Sequence, residues 1–359
     1  MRMLRIIRHT LTVFLLTGLI SAFAQGSDLN YPGASWKKVT PQSAGWSPDA
    51  LRKADEIART IRTDSYMVIH KGVVVHEFGT TTKTSNLYSV RKSLLSILIG
   101  IYSDKGAVNI EKRLSDLGIS DKDTLTDVEK LATVRELLQA RSGIYHPAAY
   151  EPPEVTAAHP ARGIYKPGEH FEYNNWDFNV LGTVFRKFTG KSVFDSLRSD
   201  LAVPLQFEDF TAFLDTRWVY ESKLSEHPAY IIHLSARDLG RIGLLMARGG
   251  LWNEKRIVSE AWIRESTTSY SVAGSKIGYG YLWWVGINGW HFGQKFPGRV
   301  FSARGNYGQY LLVDPTNDLV VVHKASNNGK KGHGKTGSRD FGALLAQIVA
   351  ARPDLKVSH

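Results

Sequence analysis

The sequence predicts an α/β (α+β) fold, a single sheet flanked by helices with a mostly helical lobe inserted into it, and three observations carry that prediction. Strand-like runs lie near both ends of the chain, at 65–78 and again at 279–285, 309–313 and 319–323. Between about 108 and 227 the strand signal fades into helices and loops broken by Pro147, Pro152, Pro153, Pro160, Pro167 and Pro204. The segment 92–102 is apolar almost all round, as a helix between two layers must be. A sheet assembled from both chain ends around an insert leaves a cleft where the two parts meet, a common place for a ligand site. The domain reading is a leader over 1–24, a sheet domain from 25–107 and 228–359, and a helical lobe over 108–227.

Each element has its own warrant. Arg2, Arg5 and Arg8 precede an apolar run from about 11 to 23, and Ala22-Phe23-Ala24 offers small residues at the spacing of a cleavage site. The run falls short of the ~20 residues a membrane span needs, and no basic flank follows it. Export to the periplasm or the medium is therefore expected, with no stable membrane span after processing. A helical pattern over 50–61 leads to two β-rich runs, 65–70 and 73–78, around Lys71-Gly72, a hairpin signature. The apolar helix over 92–102 stops at Gly106. A helix over 234–247 has Ser235 as its cap and Gly249-Gly250 as its stop, another covers 258–265, and a last one covers 340–351.

Composition excludes whole classes of function. With no cysteine among 359 residues there is no disulfide framework, thiolate metal site, lipidated cysteine or cysteine nucleophile. The formal charge of +11 falls to +8 without the leader arginines, and the remaining cations are scattered, so no basic stripe or nucleic-acid module is present. His76-Glu77-Phe78 lacks the second histidine of a zinc helix, so neither a metal nor a cofactor is expected. The Gly-x-Ser-x-Gly elbow of α/β-hydrolases is absent as well. Composition is silent on oligomeric state.

Two short motifs carry chemistry. In Ser89-Val90-Arg91-Lys92, at the start of the apolar helix, a spacing of three puts the Ser hydroxyl and the Lys amine on one helical face. A lysine desolvated there loses its charge more readily and can take the Ser proton, and the helix N-terminus favours an oxyanion. Ser35-Trp36-Lys37-Lys38 repeats the spacing without an apolar helix behind it. The alternative for Ser89 is an ordinary helix cap. Tyr173-Asn174-Asn175, the sole Tyr-x-Asn of the chain, lies in a loop just before a helical pattern beginning near Trp176. A phenol there can shuttle a proton and an amide can fix a lysine or a carbonyl; the alternative is a capping Asn beside a packing Tyr.

Together with 137–144, Pro167-Gly168-Glu169, 234–239, 278–284 and 305–310, in that order, these motifs make the chain resemble the penicillin-recognising serine hydrolases of the class C β-lactamase type, from about Trp46 to Ile348. The segments 89–96 and 141–147 resemble the 6-aminohexanoate-dimer hydrolases and related esterases within that family. The resemblance implies a helical lobe over an antiparallel sheet. It also implies Ser89 as nucleophile, Lys92 as base, Tyr173 as proton relay, Asn175 as positioning group, and an oxyanion hole from the backbone N–H groups of Ser89 and Asn306. The substrate it implies is a small-molecule ester, amide or lactam. Where the family carries Lys-Thr-Gly, this chain has Ala303-Arg304-Gly305, which favours esters or amides over β-lactams because an Arg fork does not replace a Lys.

Arg304, Gly305, Tyr145 and Trp176 are the expected substrate contacts, and Trp283 and Trp284 share the choice between cleft and core. A literal Lys335-Thr336-Gly337 follows the last strand-like run, too late for the family motif. It also completes a phosphate-loop pattern from Gly329, with too little chain after it for a nucleotide fold. The competing functions are a β-lactamase or D-Ala-D-Ala carboxypeptidase, and, from another class, a non-catalytic exported binding module.

Overall fold

The computed structural model describes residues 29–325, 336–355 and 357; the expected leader over 1–24 and the Gly329 to Lys335 stretch lie outside the described residues. The N-terminal hairpin forms as its turn residues dictate. Strands β1 (Ser65–His70) and β2 (Val73–Gly79) pair antiparallel, and Lys71 and Gly72 both take left-handed angles, φ 51° and 75°. That is the turn whose twist matches the strands it joins. Six later strands complete the sheet: β3 (Ser271–Gly274), β4 (Ile277–Tyr279), β5 (Trp284–Gly286), β6 (Phe301–Gly305), β7 (Gln309–Asp314) and β8 (Leu319–Lys324). Their order across the sheet is β2-β1-β8-β7-β6-β5-β4-β3, every pairing antiparallel. The two ends of the chain thus meet at β1 and β8, with Ser65 opposite Lys324 and His70 opposite Leu319.

The principal helices are α1 (Pro48–Thr60), α2 (Val90–Asp104), α3 (Asn175–Thr189), α4 (Ala236–Ala247), α5 (Glu260–Ser266) and α6 (Ser338–Ala350). Serine side chains cap three of them: Ser47 accepts from Ala50 N, Ser235 from Asp238 N and Ser259 from Trp262 N. Gly249 and Gly250 end α4 in left-handed angles, as expected.

Strand alternation explains why the central strands read as unbroken apolar runs. Tyr66, Val68, Tyr310, Leu312, Leu319 and Val321 form one core with α1 and α6. Met67, Ile69, Leu311, Val313, Val320 and Val322 face the other way, into the larger core that includes α2 and α4. Both faces of these central strands are covered, so every position of β1, β7 and β8 is inside. Residues Val90 to Tyr102 of α2 are all buried, which places this helix between the sheet and α3.

Two details differ from the sequence reading. The expected single strand over 279–285 is a tight hairpin: Gly280 N donates to Trp283 O at 2.9 Å and Leu282 takes φ 63°, reversing the chain between β4 and β5. The run Ala229–Leu234 is a strand, joined by Thr216–Val219 on one side and Ser85–Asn86 on the other in a small three-stranded sheet. No turn signal separates it from the cap of α4, which hides it in the helical pattern. Apart from that sheet and a two-residue hairpin pairing Leu251–Trp252 with Lys255–Arg256, the segment between the two groups of main-sheet strands consists of helices and loops, among them α3 and the short helix Val134–Leu138.

Candidate active site

The small sheet aims the start of α2. Ser85 and Asn86 pair with Leu234 and His233, and Leu87 N donates to Ile232 O at 3.0 Å. Asn86 Oδ1 then accepts from Tyr88 N at 2.8 Å, and Tyr88 turns the chain with a left-handed φ of 47°. Such a conformation in a non-glycine residue holds only where its surroundings impose it. Ser89 follows with helical angles, φ −74° and ψ −11°, and its side chain makes no capping hydrogen bond. The ordinary-cap alternative therefore does not describe it. Its Oγ accepts instead from Lys92 Nζ at 2.9 Å.

Lys92 is 1% exposed. Its Nζ also donates to Tyr173 OH at 2.8 Å and to Asn175 Oδ1 at 2.7 Å, and it lies 4.4 and 4.3 Å from the ring centres of Tyr173 and Phe178. Burial first, and then the Arg91 charge beside it, push the Lys92 amine well below the usual lysine range, while Glu151 pulls weakly the other way. Three acceptors match the three N–H groups of an ammonium. A neutral amine has two N–H groups and a lone pair, and because Asn175 Oδ1 can only accept, one of the two hydroxyls must then donate to Nζ. The same contacts serve both protonation states, so a proton can pass from Ser89 Oγ to Lys92 without rearrangement.

Helix α3 supplies the other two partners. Asn174 caps it by accepting from Asp177 N, which leaves Asn175 in the first turn and Tyr173 in the extended residues before it. Asn175 Nδ2 donates to Tyr150 O at 2.9 Å, so the amide can present only its oxygen to Lys92. The half-buried Tyr173 ring packs on Phe178 and stacks on Trp284 with centres 5.5 Å apart. Desolvation pushes its hydroxyl up to about 12, against a hydrogen bond with Ser89 and the Arg91 charge, so it holds its proton at neutral pH.

A cavity of about 310 Å³ opens over Ser89, lined among others by Tyr88, Tyr150, Glu151, Asn306 and Tyr307. The end of β6 borders it: a Cβ on Gly305 would overlap the Leu87 carbonyl oxygen, so only glycine lets this strand approach the turn before Ser89. Among the described residues no group of His, Cys, Asp or Glu is arranged to hold a metal ion, and no helix is long and apolar enough to cross a membrane.

A family model described as Beta-lactamase matches residues 49–343. The chain belongs to the Beta-lactamase family of serine hydrolases. It is 24% identical over 317 residues to a 6-aminohexanoate-dimer hydrolase of Paenarthrobacter ureafaciens, covering 78% of this chain and 75% of that one. Among solved structures it is similar to a Bacillus anthracis protein provisionally assigned as a 6-aminohexanoate-dimer hydrolase. That match has a TM-score of 0.67 and 19% identity, over 91% of this chain and 90% of the other. It is also similar to a family VIII carboxylesterase, with a TM-score of 0.61 and 17% identity over 85% and 98% of the two chains. The antiparallel sheet with helices on both faces is the Beta-lactamase family fold, as the sequence resemblance implied.

Within this family frame, some expected contacts fall elsewhere. Trp176 is 1% exposed, and its Nε1 donates to Asp121 Oδ2 at 2.6 Å; it belongs to the core under α3, as does Trp283. Tyr145 does not line the cavity at Ser89 but stacks near His159, with ring centres 6.2 Å apart. Arg304 is turned away. Its neighbour Ala303 packs into the core that holds α2 and Gly305 meets Leu87, so alternation sends Arg304 to the opposite face of β6. There its Nε donates to Ser302 Oγ at 3.0 Å, its guanidinium lies 4.2 Å from the Phe292 ring centre, and it lines a separate cavity with His291 and Gln294. Tyr150, Glu151 and Arg91 line the Ser89 cavity and were not expected. Arg91 at least stands inside the Ser89 motif; Tyr150-Glu151 follows no recognisable spacing, and a left-handed φ of 61° at Tyr150 brings it in.

Proposed function

We propose that this family member cleaves an ester or amide bond of a small molecule through an acyl-enzyme on Ser89. The observation that carries the reading is the simultaneous contact of a buried Lys92 Nζ with Ser89 Oγ, Tyr173 OH and Asn175 Oδ1. Neutral Lys92 takes the Ser89 proton as Oγ bonds to the substrate carbonyl carbon. The carbonyl oxygen gains the negative charge, and the backbone N–H groups of Ser89 and Asn306 are the proposed donors to it. Tyr173 gives a proton to the departing alkoxide or amine, taking one in turn from Lys92. Water then attacks the acyl-enzyme by the reverse route, releasing the acid and restoring Ser89. Asn175 positions the lysine.

Ester or amide is preferred to β-lactam because β6 offers Ala303 and Gly305 on the α2 side, while Arg304 points away. The names of the relatives, one a 6-aminohexanoate-dimer hydrolase and one a carboxylesterase, support the same choice. Export to the periplasm or medium, argued from residues 1–24, is part of the proposal.

Intact-mass spectrometry after a fluorophosphonate probe, with peptide mapping and Ser89→Ala alongside, tests the nucleophile. A stoichiometric adduct on Ser89 that Ser89→Ala lacks is expected. A folded protein without an adduct would instead be the non-catalytic binding module, and rapid turnover of a chromogenic cephalosporin would move the substrate to β-lactams.

A further inference from the structure

Three titratable side chains beside the site take no part in that scheme. Glu151 has a side chain 1% exposed; its Oε1 accepts from Asn175 N at 2.9 Å, and its Oε2 accepts from Thr156 Oγ1 at 2.9 Å. His159, with a side chain 4% exposed, places Nε2 3.1 Å from Glu151 Oε2 and Nδ1 3.0 Å from Glu172 Oε1. Glu172 directly precedes Tyr173, and the carbonyl of Tyr150, directly before Glu151, fixes the Asn175 amide. The segment 172–175 therefore carries two of the three acceptors of Lys92 together with one carboxylate on His159, and the segment 150–151 that carries the other carboxylate also holds the Asn175 amide.

We propose that Glu151 is a positioning residue for Lys92, acting through Asn175, and that imidazolium His159 clasps Glu151 to Glu172 and so fixes the segment 150–159 against the start of α3. The inference rests on the acyl-enzyme reading for its catalytic consequence, but the clasp itself does not.

The geometry selects the charged ring. A neutral imidazole has one N–H and would turn a lone pair toward one of the two carboxylates, whereas an imidazolium donates to both. The groups facing His159 agree: Glu151 and Glu172 hold its two nitrogens, Tyr145 stacks over it, the Asp177 carboxyl feels its charge, and His170 lies 4.0 Å beyond, on Glu172 Oε2. Both carboxylates hold the His159 ring above the usual histidine range. Glu151 is also the carboxylate whose charge favours the ammonium form of Lys92, and His159 masks part of that charge. Two opposite effects follow. Removing the Glu151 charge lets Lys92 lose its proton more easily, and removing the His159 charge exposes Glu151 and makes Lys92 hold its proton harder.

The test measures the rate of fluorophosphonate labelling of Ser89 from pH 5 to 9 in the full-length processed protein, for wild type, Glu151→Gln and His159→Gln. Thermal melts confirm that each is folded. The acid limb of the rate profile is expected to move down in Glu151→Gln and up in His159→Gln, each by about half to one pH unit. A merely structural role lowers both rates without moving the limbs apart, and coincident limbs in folded variants overturn the proposal. If His159→Gln does not fold, the direction of the Glu151→Gln limb decides. The clasp is read separately from the His159 imidazole resonances in NMR, which should titrate above the ordinary value in wild type and fall back toward it in Glu151→Gln. Unchanged resonances overturn the clasp even where labelling is normal. Absent labelling with the expected resonance shift discards the acyl-enzyme reading and leaves the clasp standing.

Discussion

Tyr173→Phe separates proton relay from packing. The ring would keep its place against Phe178 and Trp284, and the only atom lost is the oxygen that accepts from Lys92 Nζ at 2.8 Å. A hydroxyl held at about 12 stays protonated at neutral pH and is available to protonate a leaving group. Positioned general acids contribute roughly 10²- to 10⁴-fold, which is about 3–5 kcal/mol in the barrier. The contribution depends on the leaving group: an alkyl amide cannot depart without a proton, whereas p-nitrophenolate can. With one acyl group on both, kcat/KM for the amide should fall about 10³-fold and for the p-nitrophenyl ester about 10-fold or less.

The stability effect is the smaller one. Phe leaves one Lys92 N–H without its partner, costing about 1–3 kcal/mol if that group finds no other acceptor, or a few degrees in Tm at about 1.5 °C per kcal/mol for a chain this long. Parallel kinetics on the two substrates and a thermal melt suffice. An equal fall for both substrates, or none for either, would refute Tyr173 as the leaving-group acid and return it to packing.

The remaining predictions concern the base, the strand beside it and a second buried lysine. Lys92→Arg should lower Ser89 labelling by about 10³-fold or more at every pH, because a guanidinium cannot give up its proton; labelling retained at neutral pH would eliminate Lys92 as the base. Gly305→Ala forces a methyl against the Leu87 carbonyl and should cost about 1–3 kcal/mol in chemical denaturation, with a loss of labelling rate because Leu87 leads into Ser89. Lys324, 2% exposed and donating to Ser85 O at 3.2 Å, is pushed by burial down to about 7. The unfolded chain keeps that proton up to about 10.4, so the penalty is full below about 7 and disappears as pH rises toward 10. Lys324→Met should therefore raise stability by about 2–4 kcal/mol at pH 6 and hardly at pH 10; melts showing the same difference at both pH values would contradict this.

Much of this architecture is legible in the residues, and the exceptions have physical reasons. The Lys71-Gly72 turn, the serine cap at Ser235 and the almost all-round apolar run over 92–102 are local signals, and the structure follows them. Ser89 and Lys92 meet because a helix places i and i+3 on one face. Their meeting with Tyr173 and Asn175, 81 and 83 positions beyond Lys92, was legible only through the family resemblance. Trp176 and Trp284 look alike as sequence, yet one is sealed under α3 and the other stacks on Tyr173, because hydrophobicity reports burial and not which layer is nearby. Arg304 is different: strand alternation in 301–305 already sets it opposite its neighbours Ala303 and Gly305. Glu151 escaped because a buried carboxylate in a loop has no periodic signature.

The buried amine also links stability to chemistry. Holding an ammonium where Lys92 lies would cost several kcal/mol, but a neutral amine with its hydrogen bonds made costs little more than any satisfied buried polar group. Packing that keeps α2 dry therefore weakens the ammonium form, and folding and base strength draw on the same contacts. Arg91, one residue earlier, cannot escape its charge in this way. It is 1% exposed, donates to Tyr88 O at 3.0 Å and lies 5.4 and 5.2 Å from the ring centres of Tyr150 and Tyr230, with no carboxylate in ion-pair contact among the described residues. A permanent cation left unpaired next to a titratable one keeps the local field positive, and that field favours the neutral lysine. Pairing Arg91 with an introduced carboxylate would stabilise the guanidinium and at the same time weaken the base, so the unpaired state of Arg91 serves the chemistry of Lys92 at the expense of the fold.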